Sequence, residues 1–221
     1  MPRLYHSGET TDIDHVIRRL VAEHPGRPLI LAGVSLGANV LLKWLGEQGD
    51  LVPAEVRRAA AISTPFDLGE GSRFLEQGFS QVYVRHFVRS LKRKALATLE
   101  QHPRLPVDRD RLMAARTFWE FDDVFTGPVH GFSGAEEYYA RSSSIHFLPR
   151  VTVPTLLYSA VDDPFLPPVV LERVREVARY NRALTVDFTP RGGHVGWVSG
   201  HPWSPSYFME TRVASWLEKM P

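Results

Sequence analysis

Hydrophobic positions change their period along this chain, and each change marks an element. Ile13, Val16, Ile17, Leu20 and Val21 recur at helical spacing. They predict a first helix, capped by Thr10 or Thr11 and ended near His24 by Pro25-Gly26. Pro28-Leu-Ile-Leu-Ala-Gly-Val34 is a continuous apolar run, the pattern of a strand buried on both faces. From Leu36 to about Glu47 the period is helical again, carried by Leu36, Val40, Leu41, Trp44 and Leu45. Val56 to Ile62 predicts a second buried strand. Between Pro65 and about Arg150 no buried-strand pattern recurs; helical stretches such as Val82 to Leu99 and an aromatic-rich segment from Phe118 to Tyr139 take its place. Strand patterns return at Pro154 to Ala160 and Leu184 to Thr189, separated by a helix from about Pro167 to Tyr180. A last helix is predicted from about Pro205 to Lys219. Strands alternating with helices place the chain in the α/β class, with a mostly parallel sheet covered on both faces. The strand-free stretch, about 66–150, reads as a helical cap inserted into a single domain spanning 1–221.

Composition narrows the range of functions. The 221 residues suit one sizeable core, and 43% hydrophobic with 23% charged residues is ordinary for a soluble globular protein. With 26 basic and 25 acidic residues the formal charge is +1, so no global field recruits nucleic acid or an anionic membrane. There is no cysteine. That removes disulfides, thiolate zinc sites and cysteine nucleophiles, and fits a cytoplasmic location. The first residues carry no apolar signal core, and no run approaches the ~18 apolar residues of a membrane span. Neither metal-ligand spacing nor a phosphate-binding glycine loop occurs, so no metal and no cofactor are expected. The basic stretch Arg85 to Lys94, with Phe87, Val88 and Leu91 interleaved, reads as a solvated helix face or as a contact for lipid head groups.

The candidate chemistry begins at Gly33-Val-Ser35-Leu-Gly37, which lies between an apolar strand and an amphipathic helix. In a nucleophile elbow the strand turns sharply into the helix and holds serine at the strained apex. Glycines flank the serine because side chains there would collide with the turn. The N–H of the next residue, Leu36, points at a developing oxyanion. A serine hydroxyl needs a base, and in this architecture an acid and then a histidine follow it in the chain. Asp162-Asp163-Pro164 lies just past the Pro154 to Ala160 strand. Asp163 is the favoured acid, at the turn into the next helix; Asp162 is the alternative, and either could cap that helix. Gly192-Gly193-His194 follows the last strand, and the glycines let the chain bring the imidazole back over the sheet edge. His6, His15 and His24 precede the elbow, while His86, His102, His130 and His146 fall in the strand-free stretch. His201 is the positional rival. Phe118, Trp119, Phe121, Phe125, Phe132, Tyr138 and Tyr139 could wall an apolar acyl or alcohol pocket, or simply pack together.

At these residues the chain resembles the YheT-like family of α/β-hydrolases. The resemblance runs through Tyr5-His-Ser-Gly-Glu-Thr10, Gly33 to Glu47, Ser63-Thr-Pro-Phe-Asp-Leu68 and Phe121-Asp-Asp123. It continues through Tyr138-Tyr139, Ser142-Ser-Ser144, Asp162-Asp-Pro-Phe165 and Gly192-Gly-His-Val-Gly196. It implies an α/β-hydrolase fold and a carboxylesterase-type serine hydrolase acting on a small ester or a lipid. Ser35, Asp163 and His194 match the family's charge-relay positions. A thioesterase, a lysophospholipase and a non-catalytic module are the competing readings. Family members begin well upstream of Tyr5, with strands and a His-Gly loop that completes the oxyanion hole. The expectation is therefore a sheet whose N-terminal strands are missing, poor stability or self-association, and a weaker oxyanion site.

Overall fold

The computed structural model describes residues 4–78, 80–201 and 203–219. Helix α1 (Thr11–Glu23) leads into β1 (Leu29–Val34), α2 (Leu36–Gln48) and β2 (Val56–Ile62). A helical excursion follows, with α3 (Leu68–Leu75), α4 (Ser80–Gln101), α5 (Arg109–Ala114), α6 (Phe118–Phe121), a π-helical turn (Asp122–Thr126), α7 (Gly127–Val129) and α8 (Ala135–Ser142). The chain then returns to the sheet with β3 (Thr155–Ala160), α9 (Pro168–Arg179) and β4 (Leu184–Thr189). It closes with β5 (Val198–His201), β6 (Ser204–Tyr207) and α10 (Met209–Leu217).

Strands β1 to β4 form one parallel sheet in the order β1-β2-β3-β4. Parallel strands must be joined by crossovers, and helices supply them. One face packs on α1, α2 and α9 through Ile17, Leu41, Trp44, Leu157, Leu171 and Val174. The other face meets α10 through Leu156, Tyr158 and Val213. Burial on both faces explains why β3 shows no alternation of apolar and polar residues; all six of its residues are buried, Thr155 and Ser159 included. All four strands end on the same side of the sheet. The residues that follow their C-terminal ends therefore share one edge, where open α/β sheets bind ligands.

Asn39 ties that edge to the helical excursion. It is fully buried in α2. Its Nδ2 donates to the carbonyls of Ser7 and Ser142, each at 2.8 Å, and its Oδ1 accepts from the Ser144 N–H at 2.9 Å. A buried amide is tolerable only when its donors and acceptor are matched, as they are here.

The structure departs from the expected elements at three places. Strand β1 is not buried on both faces: Leu29 and Leu31 pack on the core, whereas Ile30, Ala32 and Val34 are exposed, because α10 on that face packs against β2 and β3. The helix predicted from about Pro205 starts only at Met209, because Ser204–Tyr207 pairs antiparallel with Val198–His201 as an exposed hairpin. Two short, wholly exposed strands carry no burial pattern, and a proline is tolerated in such an edge strand. Thr10 holds the N-cap position of α1 but makes no side-chain cap. Its hydroxyl donates to Glu47 at 2.6 Å, while the Glu9 carboxylate accepts the Thr11 N–H at 2.7 Å.

Candidate active site

Ser35 stands between β1 and α2 with φ 53° and ψ −123°. A non-glycine residue in that region costs of order 1–3 kcal/mol and persists only where its surroundings hold it. Here the Ser35 N–H donates to the Ile62 carbonyl at 2.8 Å, and its carbonyl accepts from Ala38 at 3.0 Å and Asn39 at 3.2 Å. Gly33 is needed for the turn: a Cβ there would lie 2.7 Å from the Gly37 carbonyl oxygen and 2.8 Å from the Ala38 Cα. Gly37 is not needed in that sense, since a Cβ on it would meet nothing within 4 Å. The steric argument for two glycines thus holds for the first only. Leu36 opens α2, so its N–H belongs to the first turn, where no intrahelical acceptor exists and the helix dipole is positive.

The loop after β4 brings His194 to the same edge. Gly193 adopts φ 62°, and a Cβ on Gly192 would fall 2.3 Å from Trp197 Nε1. Asp162 Oδ1 accepts the N–H groups of Gly192 at 2.8 Å and Gly193 at 2.9 Å. Ser63, just past β2, donates its hydroxyl to the His194 carbonyl. The Phe165 ring meets the imidazole edge-on at 4.7 Å.

Held this way, His194 Nε2 lies 3.0 Å from Ser35 Oγ and its Nδ1 lies 2.8 Å from Asp163 Oδ2. Asp163 is 2% exposed, and its other oxygen accepts the Phe165 N–H at 2.8 Å. The structure therefore brings together Ser35, His194 and Asp163, and separates the two adjacent aspartates. Asp163 contacts the ring, whereas Asp162 holds the backbone that carries it. Neither caps α9, whose N-cap is Pro167. His201 lies in exposed β5, with Nδ1 3.5 Å from the Trp203 N–H.

A cavity of about 230 Å³ opens beside the elbow, with Leu36 in its wall. Of the aromatic candidates, Phe118, Phe121, Tyr138 and Tyr139 line it. Trp119 packs on Tyr139, Phe125 on Phe121, and Phe132 on Tyr138. The cavity also exposes Asp122, whose carboxyl is otherwise packed among protein atoms. That burial lifts it to about 6, against hydrogen bonds from Thr126 and Tyr139 and the nearby His130, which act in the opposite direction. Burial, with Asp122 adding to it, also raises the Tyr138 and Tyr139 phenols above their usual range.

Sequence reasoning missed Ser63, Asp162 in its loop-holding position, and Asp122. Ser63 directly follows a predicted strand end, a positional signal that could have found it. Asp122 carries no such signal.

An elbow serine at the sheet's C-terminal edge is what one large family shares. Residues 1–195 match the family described as alpha/beta hydrolase fold, and the chain belongs to that family. Within it, the chain is 36% identical to YheT of Escherichia coli (strain K12), over 98% of this chain and 63% of that protein. The YheT resemblance read from the motifs is borne out. The chain is also 32% identical to a monoacylglycerol lipase of Saccharomyces cerevisiae, over 91% of this chain and 46% of the relative. Phospholipase ABHD3 of Mus musculus is 30% identical, over 90% and 47% respectively. The chain thus spans about half to two thirds of the length of these relatives. Among solved structures, the esterase Pf2001 of Pyrococcus furiosus superposes with a TM-score of 0.53 at 13% identity, over 99% of this chain and 62% of that one. That likeness concerns the fold. Among the described residues, no helix is long and apolar enough to cross a membrane.

Proposed function

We propose that this chain is a serine hydrolase that cleaves carboxylic esters through an acyl-enzyme. The observation that carries the reading is the hydrogen-bonded line from Ser35 Oγ through His194 to Asp163. In the proposed reaction His194 Nε2 takes the Ser35 proton as Oγ attacks the ester carbonyl. Asp163 keeps the Nδ1 proton in place and stabilises the imidazolium, without becoming protonated. The Leu36 N–H and the positive end of α2 face the oxyanion. The imidazolium then gives its proton to the leaving alcohol. Water, activated by the same histidine, releases the acid.

The helical excursion from α3 to α8 acts in this reading as a cap over a small ester. The names of the lipase and phospholipase relatives favour a lipid ester over a thioester on the same three residues. A cytoplasmic location is part of the proposal and rests on the absence of cysteine.

The test is a fluorophosphonate probe together with p-nitrophenyl esters of graded chain length, applied to the protein and to Ser35→Ala. Labelling and hydrolysis that vanish in the variant support the proposal. A folded protein that takes no label and cleaves no ester would be a binding module instead.

A further inference from the structure

The cavity beside the elbow is mostly walled by carbon, from Leu36, Leu68, Leu75, Phe118 and Phe121. Polar side chains interrupt that wall, among them His6, Ser7, Thr126 and Tyr139, and two more of them, Ser72 and Asp122, keep hydrogen-bonding capacity to spare. Ser72 on α3 lines it and is only 5% exposed. Its hydroxyl lies close enough to influence the Tyr139 phenol but closes no hydrogen bond with it, nor with any other described residue. A buried hydroxyl left in that state costs roughly 1–3 kcal/mol, so it is a group that a ligand would satisfy.

Asp122 reaches the same cavity from the π-helical turn, a type of distortion that re-aims side chains and recurs at functional sites. Its Oδ1 accepts from Thr126 Oγ1, and its Oδ2 accepts from the Tyr139 hydroxyl at 2.6 Å. Tyr139 has thereby committed its only proton. A carboxylate offers about four acceptor positions, so Asp122 retains acceptor capacity. The cavity therefore offers an incoming group an acceptor at Asp122 and a hydroxyl at Ser72 able to donate. A substrate hydroxyl can donate to the first and accept from the second. A methyl group satisfies neither, and an ammonium would satisfy Asp122 while giving Ser72 nothing to donate to.

We propose that Ser72 and Asp122 form a hydroxyl-recognising subsite, which selects esters that carry a further hydroxyl on the alcohol or the acyl part. The proposal deepens the esterase reading and rests on it for the reaction that the bound ester undergoes. The subsite distinguishes a polyol monoester or a hydroxyacyl ester from a plain alkyl ester of the same length.

Ser35→Ala protein holds esters without turning them over, so binding can be read directly. Isothermal titration would compare 1-monohexanoylglycerol, ethyl 6-hydroxyhexanoate and ethyl hexanoate. One of the two hydroxylated esters is expected to bind about 5- to 10-fold more tightly than ethyl hexanoate, and which one does so identifies the part recognised. Adding Ser72→Ala should abolish that advantage while the ethyl hexanoate Kd stays within twofold. Adding Asp122→Asn instead, which keeps the shape of the side chain, should weaken the advantage and serves if the first variant does not fold. Equal binding of all three esters, binding of none, or an advantage that survives both substitutions overturns the subsite. Turnover by the wild-type chain separates the two proposals. Hydrolysis of all three at equal kcat/KM leaves the esterase reading standing without the subsite. Selective binding with no hydrolysis of any leaves the subsite standing without the esterase.

Discussion

Asp162 and Asp163 show how far apart two neighbouring identical residues can be in what they do. Asp163 meets the His194 ring, and Asp162 takes two backbone N–H groups of the loop that presents it. Replacing Asp163 by Asn would present a donor or a poor acceptor to Nδ1 and favour the wrong tautomer. We expect Asp163→Asn to lower ester turnover by about 10³–10⁴. Asp162→Asn keeps an oxygen for both N–H groups and should lose less than about tenfold, measured as kcat on a p-nitrophenyl ester. Ser63 is the third residue of this kind. It is buried, has φ 50°, and donates to the His194 carbonyl. Ser63→Ala leaves that carbonyl without its buried donor, at a cost of roughly 1–3 kcal/mol in unfolding free energy by urea titration. The Asp-Asp pair was visible in the chain, but adjacency alone could not show which carboxylate turns toward the ring.

The same contrast appears one scale up, in the elements. The elbow is a strand, a strained residue and a helix, and its two glycines are unequal. Gly33→Ala would press a Cβ to within 2.7 Å of backbone that cannot yield. We expect about 1–3 kcal/mol of destabilisation, with displacement of Ser35. Gly37→Ala meets open space and adds a better helix former to the first turn of α2. Its melting temperature should be equal to or above that of the parent. Thermal denaturation of both variants checks the pair; equal losses would mean that the elbow is not held as described. Strands β2 and β3 were legible because burial leaves a largely apolar run. Strand β1 carries the same kind of run while alternate residues of it are exposed, so the run marks a strand without showing how many of its faces are covered. Strands β5 and β6 were not legible, since every residue in them is exposed and the segment reads as a helix start.

At the scale of the whole molecule, one buried charge and one open edge matter most. Asp122 has a folded-state value of about 6, above the ordinary carboxyl value of 3.8, so the native protein holds this proton more tightly than the unfolded chain does. Its effect is therefore most favourable below the unfolded value. Stability is lost as pH rises from about 4 to about 6, by roughly 2–3 kcal/mol, and the loss levels off above. Urea unfolding at pH 5 and 7.5 should show this slope in the wild type and a flatter one in Asp122→Asn. Among the described residues β1 is one of the sheet's two edge strands, and its Ile30 and Val34 are 43% and 45% exposed. Such an edge is a template for pairing with another chain. Sedimentation should show concentration-dependent self-association of the chain, reduced by Ile30→Lys. A monomer at all concentrations would count against that reading of the edge.

By itself the sequence determined the α/β class, the strand order along the chain, and the candidate residues Ser35, Asp163 and His194. These follow from patterns that are local in the chain: burial period, turn chemistry, and the order of motifs after successive strands. Only the tertiary structure decided which aspartate reaches the imidazole, that Ser63 grips the histidine loop across 131 residues, and that Ser72 and Asp122 share one cavity. The physical reason is that hydrogen-bond partners and cavity walls are chosen by how helices pack against one another. No period along the chain encodes that packing.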